Sequence, residues 1–206
     1  MDLKRAALAI AAVVAFAGCE KKEEENTTST TGATVTSTPA WQTVSKDWPE
    51  NSKSAVKDMV DTYGAPDEVT PTHMKWGRRG PWKKSVVSKE EVQHDWPSPH
   101  ADVLEQFIDF RVPPDKADDL AMFDGSVMFE RTKGELSARC GGESANFLAI
   151  NLAREIIEGT RNVADARAFY ASTMKAKKEG KKNEYLTGLR FTPPSGGTAD
   201  KDLPVQ

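Results

Sequence analysis

Two pairs of strand-like runs are joined by turns too short for anything but an antiparallel hairpin. Residues 72–76 and 82–88 flank Gly77-Arg78-Arg79-Gly80, and residues 127–132 and 135–140 flank Lys133-Gly134. A parallel pair needs a crossover of a dozen residues or more, usually a helix. No such segment fits between 72 and 112 or inside 126–140. A further run, 103–112, alternates Leu104, Ile108, Phe110 and Val112 onto one face and ends at Pro113-Pro114, which cannot donate to a ladder. In the second hairpin Leu136, Ala138 and Cys140 share a face.

Helices bracket these strands. Asn51 to Ser54 offers N-cap residues, and Val56, Met59, Val60 and Tyr63 follow at i, i+3, i+4 and i+7, so the pattern predicts a helix over 53–63. Gly64 and Pro66 stop it. Residues 115–123 predict a short helix with acidic residues at its start. Residues 144–158 carry Phe147, Leu148, Ile150, Leu152, Ile156 and Ile157, apolar around so much of the circumference that the helix must be broadly buried; Gly159 ends it. Asn162-Val163-Ala164-Asp165 resembles a capping box that opens a last helix, with Val163, Ala166, Tyr170 and Met174 on one stripe. The expected class is therefore α+β: an antiparallel meander with hairpins, packed by an N-terminal helix and two C-terminal helices in one domain, 41–191. Residues 192–206, rich in Pro and Gly, are expected to form a disordered tail.

Upstream of this body, Lys4 and Arg5 precede an unbroken apolar run of twelve residues, 6–17. A spanning helix needs roughly 20, so the run has the length of a signal-peptide core. Phe16-Ala17-Gly18-Cys19 resembles the lipobox of bacterial lipoproteins, with Phe16 where that family usually has Leu. The resemblance implies that 1–18 is a signal peptide and that Cys19 becomes the mature N-terminus. Cys19 would then carry a thioether-linked diacylglycerol and an amide-linked acyl chain such as palmitate. At about 0.8 kcal/mol per buried methylene, two or three chains anchor stably where one is marginal. Residues 19–40, a charge run and then an uncharged Thr/Ser/Gly/Ala stretch, cannot bury enough apolar surface to offset their ordering entropy. They read as a lipidated, disordered tether with a reach of roughly 25 Å. By resemblance to enterobacterial sorting, where Asp at this position favours the inner membrane, Glu20 implies the outer membrane, facing the periplasm.

Charge narrows the partners. The chain has 206 residues with 28 Lys and Arg against 31 Asp and Glu, a formal charge of −3. Asp2, Lys4 and Arg5 contribute +1, so loss of 1–18 leaves −4. An exported, acidic domain is a poor nucleic-acid binder. Lipidation of Cys19 leaves Cys140 alone, so no internal disulfide forms and stability must come from the core.

The stretch from Val56, Met59 and Val60 through Tyr63-Gly64-Ala65-Pro66-Asp67-Glu68-Val69 to Trp76 resembles one unit of the SmpA/OmlA family of small outer-membrane lipoproteins, which assist β-barrel assembly. The likeness covers 54–88. It implies a helix, a turn and strands, and no functional residue is carried over.

Three groups of residues could carry chemistry. His94 and His100, with Asp102 and nearby Glu105, place imidazoles and carboxylates around a proline-bearing loop, a donor set that zinc accepts. The same stretch also reads as a polar surface loop between strands. Cys140 could act as a nucleophile if His94 or His100 lay within reach and Asp102 oriented it, with Gly141-Gly142 as an oxyanion site; on its alternating face it also reads as a small buried hydrophobe. Lys75, Arg78, Arg79 and Lys83 interleave with Trp76 and Trp82, the composition of a surface that touches anionic headgroups or an envelope polymer. The sequence contains no phosphate-cradling glycine loop, HExxH, CxxC or serine nucleophile elbow. The expected function is a lipid-anchored envelope protein that binds an envelope protein or polymer. The alternative is a periplasmic metal-binding protein or hydrolase using His94, His100 and Asp102.

Overall fold

Pro49 and Gly64 set the limits of the first long helix in a computed structural model of the chain, which describes residues 39–202. The expected signal peptide, Cys19 and nearly all of the tether lie outside the described residues, as do 203–206. A short helix, α1 (Ala40–Ser45), precedes α2 (Glu50–Tyr63). The second helix starts three residues earlier than its spacing predicts, because Pro49 serves as the N-cap. Ser52, released from capping, ties α2 to the sheet instead, its hydroxyl donating to the carbonyls of Ser88 and Lys89.

Six strands follow: β1 (Glu68–Val69), β2 (His73–Trp76), β3 (Lys84–His94), β4 (His100–Asp109), β5 (Val127–Glu130) and β6 (Glu135–Cys140). All pairs are antiparallel, and the order across the sheet is β1-β2-β3-β4-β6-β5. The meander therefore holds only through β4. After Pro113-Pro114 the chain passes through a 3-10 turn and α3 (Ala117–Phe123), lands on the sheet edge as β5, and returns as β6 between β5 and β4. The crossover helix is the one at 117–123; the hairpin turns on either side leave no other place for it.

Register aligns one face across the whole sheet. Met74 pairs with Val87, Val87 with Leu104, and Leu104 with Cys140; Trp76 pairs with Ser85, Ser85 with Gln106, and Gln106 with Ala138. Directly paired residues point the same way, so this row faces α2 and the last two helices, α4 (Glu143–Ile157) and α5 (Val163–Lys178). Helix α4 is buried continuously from Ala145 to Ala153, as its all-round apolar sequence demands. Its two internal amides are bonded: Asn146 donates to the Leu104 carbonyl and to Gln106, and Asn151 receives the Arg190 amide. One core joins Ile108, Leu136, Phe147, Leu148 and Ile156; the other joins Trp48, Val56, Met59, Trp76 and Val87. Each such side chain contributes about 1.5–3 kcal/mol by burial.

Two clusters of polar contacts lock the ends. At the head of α4, one oxygen of Glu143 accepts from the Tyr63 hydroxyl (2.6 Å), the Trp82 indole (2.6 Å) and the Gln106 amide (3.0 Å). Helix α2, the 77–83 turn, β4 and α4 thus meet at one carboxylate, which also sits favourably in a first helical turn. At the other end, the expected disordered tail packs on the second hairpin as far as Asp202. Thr198 donates to the Gly134 carbonyl, the Asp200 amide to the Arg131 carbonyl, and Arg131 pairs with Asp200 and Asp202. Gly134 has φ +62°, and a Cβ there would lie 2.4 Å from the Ala199 nitrogen, so only glycine allows the tail this close. Among the described residues, no helix is long and apolar enough to cross a membrane.

Glu143→Ala strands three partly buried donors, and we expect it to destabilise the domain by about 3 kcal/mol, lowering Tm by about 6–12 °C. Glu143→Gln keeps the accepting oxygen and should lose about 1 kcal/mol. Thermal unfolding of both variants checks this; an alanine variant within about 0.5 kcal/mol of wild type would refute the role assigned to the carboxylate.

Candidate functional site

The long β3–β4 hairpin ends in a pair of histidines. His94 is the last residue of β3, His100 the first of β4, and the two are direct partners in the ladder. Their rings lie 5.0 Å apart, centre to centre. Asp102, two residues along β4, shares the face of His100 and of Leu104, which turns toward the helices. The loop between the histidines is held down by Trp96, which lies 4.7 Å from the Tyr170 ring of α5 and beneath the Arg167 guanidinium at 4.1 Å.

Asp102 is 2% exposed. One oxygen, Oδ2, is 3.3 Å from His94 Nδ1; the other, Oδ1, is 3.1 Å from His100 Nε2. These are ion-pair distances, yet Asp102 Oδ1 and His94 Nδ1 are both buried without a hydrogen-bond partner of acceptable geometry. The far nitrogen of His100, Nδ1, is 2.9 Å from the Ser98 carbonyl. A carbonyl only accepts, so Nδ1 carries a proton and a neutral ring must turn its Nε2 lone pair toward Asp102. Asp102 first, and Cys140 second, draw a proton to that ring and push its pKa up to about 11.

Cys140 closes the group from β6. Its Sγ is 3.3 Å from His100 Nε2 and 4.0 Å from the Tyr170 hydroxyl. Burial, reinforced by the charge of Cys140 and Asp124, raises the Tyr170 pKa. Asp124, also buried, lies 3.9 Å from His94 Nε2 on the outer side of that ring. Beside Cys140 and His100 runs a cavity of about 480 Å³, walled by Pro97, Gly142, Met174 and Lys178 among others.

Two chemistries compete for this arrangement. A thiol nucleophile needs a histidine whose other nitrogen is held by the carboxylate. Here thiol and carboxylate face the same nitrogen, and the other belongs to Ser98, so the relay is not assembled. A metal ion suits the geometry better. The two imidazole–carboxylate separations, 3.1 and 3.3 Å, run to different oxygens of Asp102, so the carboxylate bridges the two rings and an ion between them would take one oxygen or both. One donor atom from each of His94, His100 and Asp102 lies within 4.8 Å of the others. The carbonyl of Ser98 supplies the outer hydrogen bond that fixes a metal-ligating imidazole. Glu105 points away: it accepts from Ser137 on the opposite face.

The third group is corrected by burial. Trp76 and Trp82, expected on a binding surface, are both 0% exposed. Their indoles donate inward, to the Gly64 carbonyl and to Glu143, and Trp82 stacks on Phe147 at 4.9 Å. The cations between them are neutralised at home: Lys75 by Glu68, Arg78 by Asp109, Arg79 by Asp67, and Lys83 by Asp109 and Glu135. No aromatic platform remains among them for a polymer or a headgroup.

The site residues that sequence reasoning does not reach are Tyr170, Asp124 and the Ser98 carbonyl. The alternating faces of β4 and β6 are both readable, but their adjacency is not, because β6 is inserted inside β5. Comparison with known proteins returns no match: no family model, no curated protein and no solved structure resembles the chain significantly.

The buried ion pairs of the 78–84 turn carry a pH signature. Burial works to raise the pKa of Asp109, but Lys83 and Arg78 outweigh it; burial likewise opposes Lys84 and Lys83 at Glu135, and again the lysines win. Both carboxyls are held below their ordinary values of 3.8 and 4.5. Their contribution is thus complete above those values and is lost as pH falls through the lowered folded ones. Denaturation midpoints should drop as pH falls from about 5 towards about 2, and Asp109→Asn with Glu135→Gln should flatten that drop. A double variant that follows the wild-type curve would place the acid sensitivity elsewhere.

Proposed function

We propose that this is a lipid-anchored protein of the bacterial cell envelope whose folded domain binds a transition-metal ion through His94, His100 and Asp102. The observation that carries the metal reading is the buried Asp102 carboxylate, set between two imidazoles with one donor atom of each residue within 4.8 Å of the others and with Oδ1 lacking a hydrogen bond of acceptable geometry. Imidazole and carboxylate donors suit zinc best among common divalent ions, since magnesium and calcium take oxygen ligands. The neighbouring cavity provides a route of approach for the ion. The lipobox-like Phe16-Ala17-Gly18-Cys19 supports the anchor, and Glu20 supports placement on the outer membrane facing the periplasm. An interaction module for an envelope protein or polymer stands second: with Trp76 and Trp82 in the core, it rests on the anchor and on lysines and arginines that are already paired.

The full chain, purified from membranes and stripped with chelator, should bind zinc in a one-to-one ratio. At a free zinc concentration 100 times Kd, the gain is about 2.7 kcal/mol, or a rise in Tm of about 5–11 °C. His94→Ala with His100→Ala should abolish both binding and shift. Equal zinc-induced shifts in wild type and double variant would sink the metal reading. The anchor is tested separately: mass spectrometry of the native protein should find a mature chain beginning at acylated Cys19. An unmodified N-terminus or retained residues 1–18 would count against it.

A further inference from the structure

Among the described residues, five buried side-chain polar atoms lack a hydrogen-bond partner. Three of them, His94 Nδ1, Asp102 Oδ1 and Arg139 Nε, belong to residues that line one cleft of about 230 Å³. We propose that this cleft holds a small carboxylate-bearing molecule, its anionic end set between Arg139 and the metal ion. The inference rests on the metal reading above and deepens it by naming the class of ligand that shares the site with the ion.

Arg139 is the group that calls for an anion. It lies on β6, directly across the ladder from Glu105. Opposite charges so placed ordinarily pair, yet Glu105 accepts from the Ser137 hydroxyl at 2.7 Å. Among the described residues, no carboxylate lies within 4.0 Å of the Arg139 guanidinium, and no hydrogen bond engages it. The other arginines there are all provided for. Arg78, Arg79, Arg111, Arg131, Arg154, Arg161 and Arg190 each meet a carboxylate, and Arg167 donates to the carbonyls of Met122 and Phe123. A buried donor left unpaired costs stability. The planar guanidinium matches a carboxylate two hydrogen bonds at a time.

The ion and the arginine meet at this cleft. His94 and Asp102 line it together with Arg139, so an ion held by the first two borders it. Three protein ligands leave a tetrahedral ion one open position. Charge then selects what enters. Zinc brings two positive charges and Arg139 a third. Asp102 offsets one. Buried Asp124, 3.9 Å from His94 Nε2 and accepting from the Ser126 amide and hydroxyl, offsets another. A single negative charge completes the balance, and a carboxylate supplies it. Without the ion, the two aspartates outweigh Arg139 and disfavour an anion, so binding depends on the metal. Size limits the rest of the molecule. Sites for drug-sized ligands run to about 300–1,000 Å³, so this smaller cleft suits a short carboxylic acid.

Cobalt(II) loaded into the chelator-stripped full chain in detergent reports on the open position through its visible d–d bands. Acetate titrated into this protein should change the bands saturably. Arg139→Gln should keep the cobalt bands and bind acetate about 10- to 100-fold more weakly. Arg139→Lys, which retains the charge and loses the planar fork, should fall between the two, and it supplies the comparison if the glutamine variant fails to fold. Wild-type bands that ignore acetate, or a variant that binds acetate as tightly as wild type, would overturn the carboxylate site and leave the metal reading standing. Inorganic phosphate binding more tightly than acetate would do the same. Absence of d–d bands from the cobalt-treated wild type would overturn both.

Discussion

A carboxylate taken out of water must be neutralised, and among the described residues Asp102 is the buried acid with an oxygen that lacks a hydrogen bond of acceptable geometry. Burying an isolated charge costs far more than a domain's whole margin of stability. The protein surrounds Asp102 with two imidazoles rather than with lysine or arginine, groups that a metal ion accepts as readily as a proton. The strands that bring these groups together, β3, β4 and β6, are also the middle of the sheet. Site and scaffold are therefore the same structure.

Glu143 plays the complementary part. It is likewise a carboxylate drawn in from solvent, but three donors from three other elements converge on one of its oxygens. That satisfied acceptor fixes the start of α4, and Gly141-Gly142 connect α4 directly to Cys140 at the end of β6. The contrast between the two acids is informative: one oxygen of Glu143 takes three hydrogen bonds that hold the fold together, while Asp102 Oδ1 is left without one of acceptable geometry.

Much of this is legible in the sequence, and the failures have physical causes. Turn chemistry at Gly77–Gly80 and Lys133-Gly134 specifies the hairpins, and period-3.6 stripes ending at glycines specify α2 and α4. Strand order is not legible, because the connection from β4 to β6 through α3 and β5 is set by which faces must be covered, a tertiary matter. The same gap hides Cys140 from His100: alternation puts each on an inward face, but only the β4–β6 pairing makes them neighbours. Trp76 and Trp82 mislead for a related reason. Basic residues neighbour them, which looks like a mixed surface, whereas Lys75 alternates with Trp76 along β2 and Trp82, just before β3, turns into the core. Pro and Gly content predicts a loose tail, yet those glycines let Thr198 and Asp200 reach the backbone of the second hairpin.

A metal ion among His94, His100 and Asp102 is the feature on which the functional reading stands. Diffraction from zinc-soaked crystals, recorded on either side of the zinc absorption edge, tests it most directly. One strong anomalous peak is expected within about 2.1 Å of His94 Nδ1 and His100 Nε2. Peaks confined to surface carboxylates, with none between the two imidazoles, would contradict it.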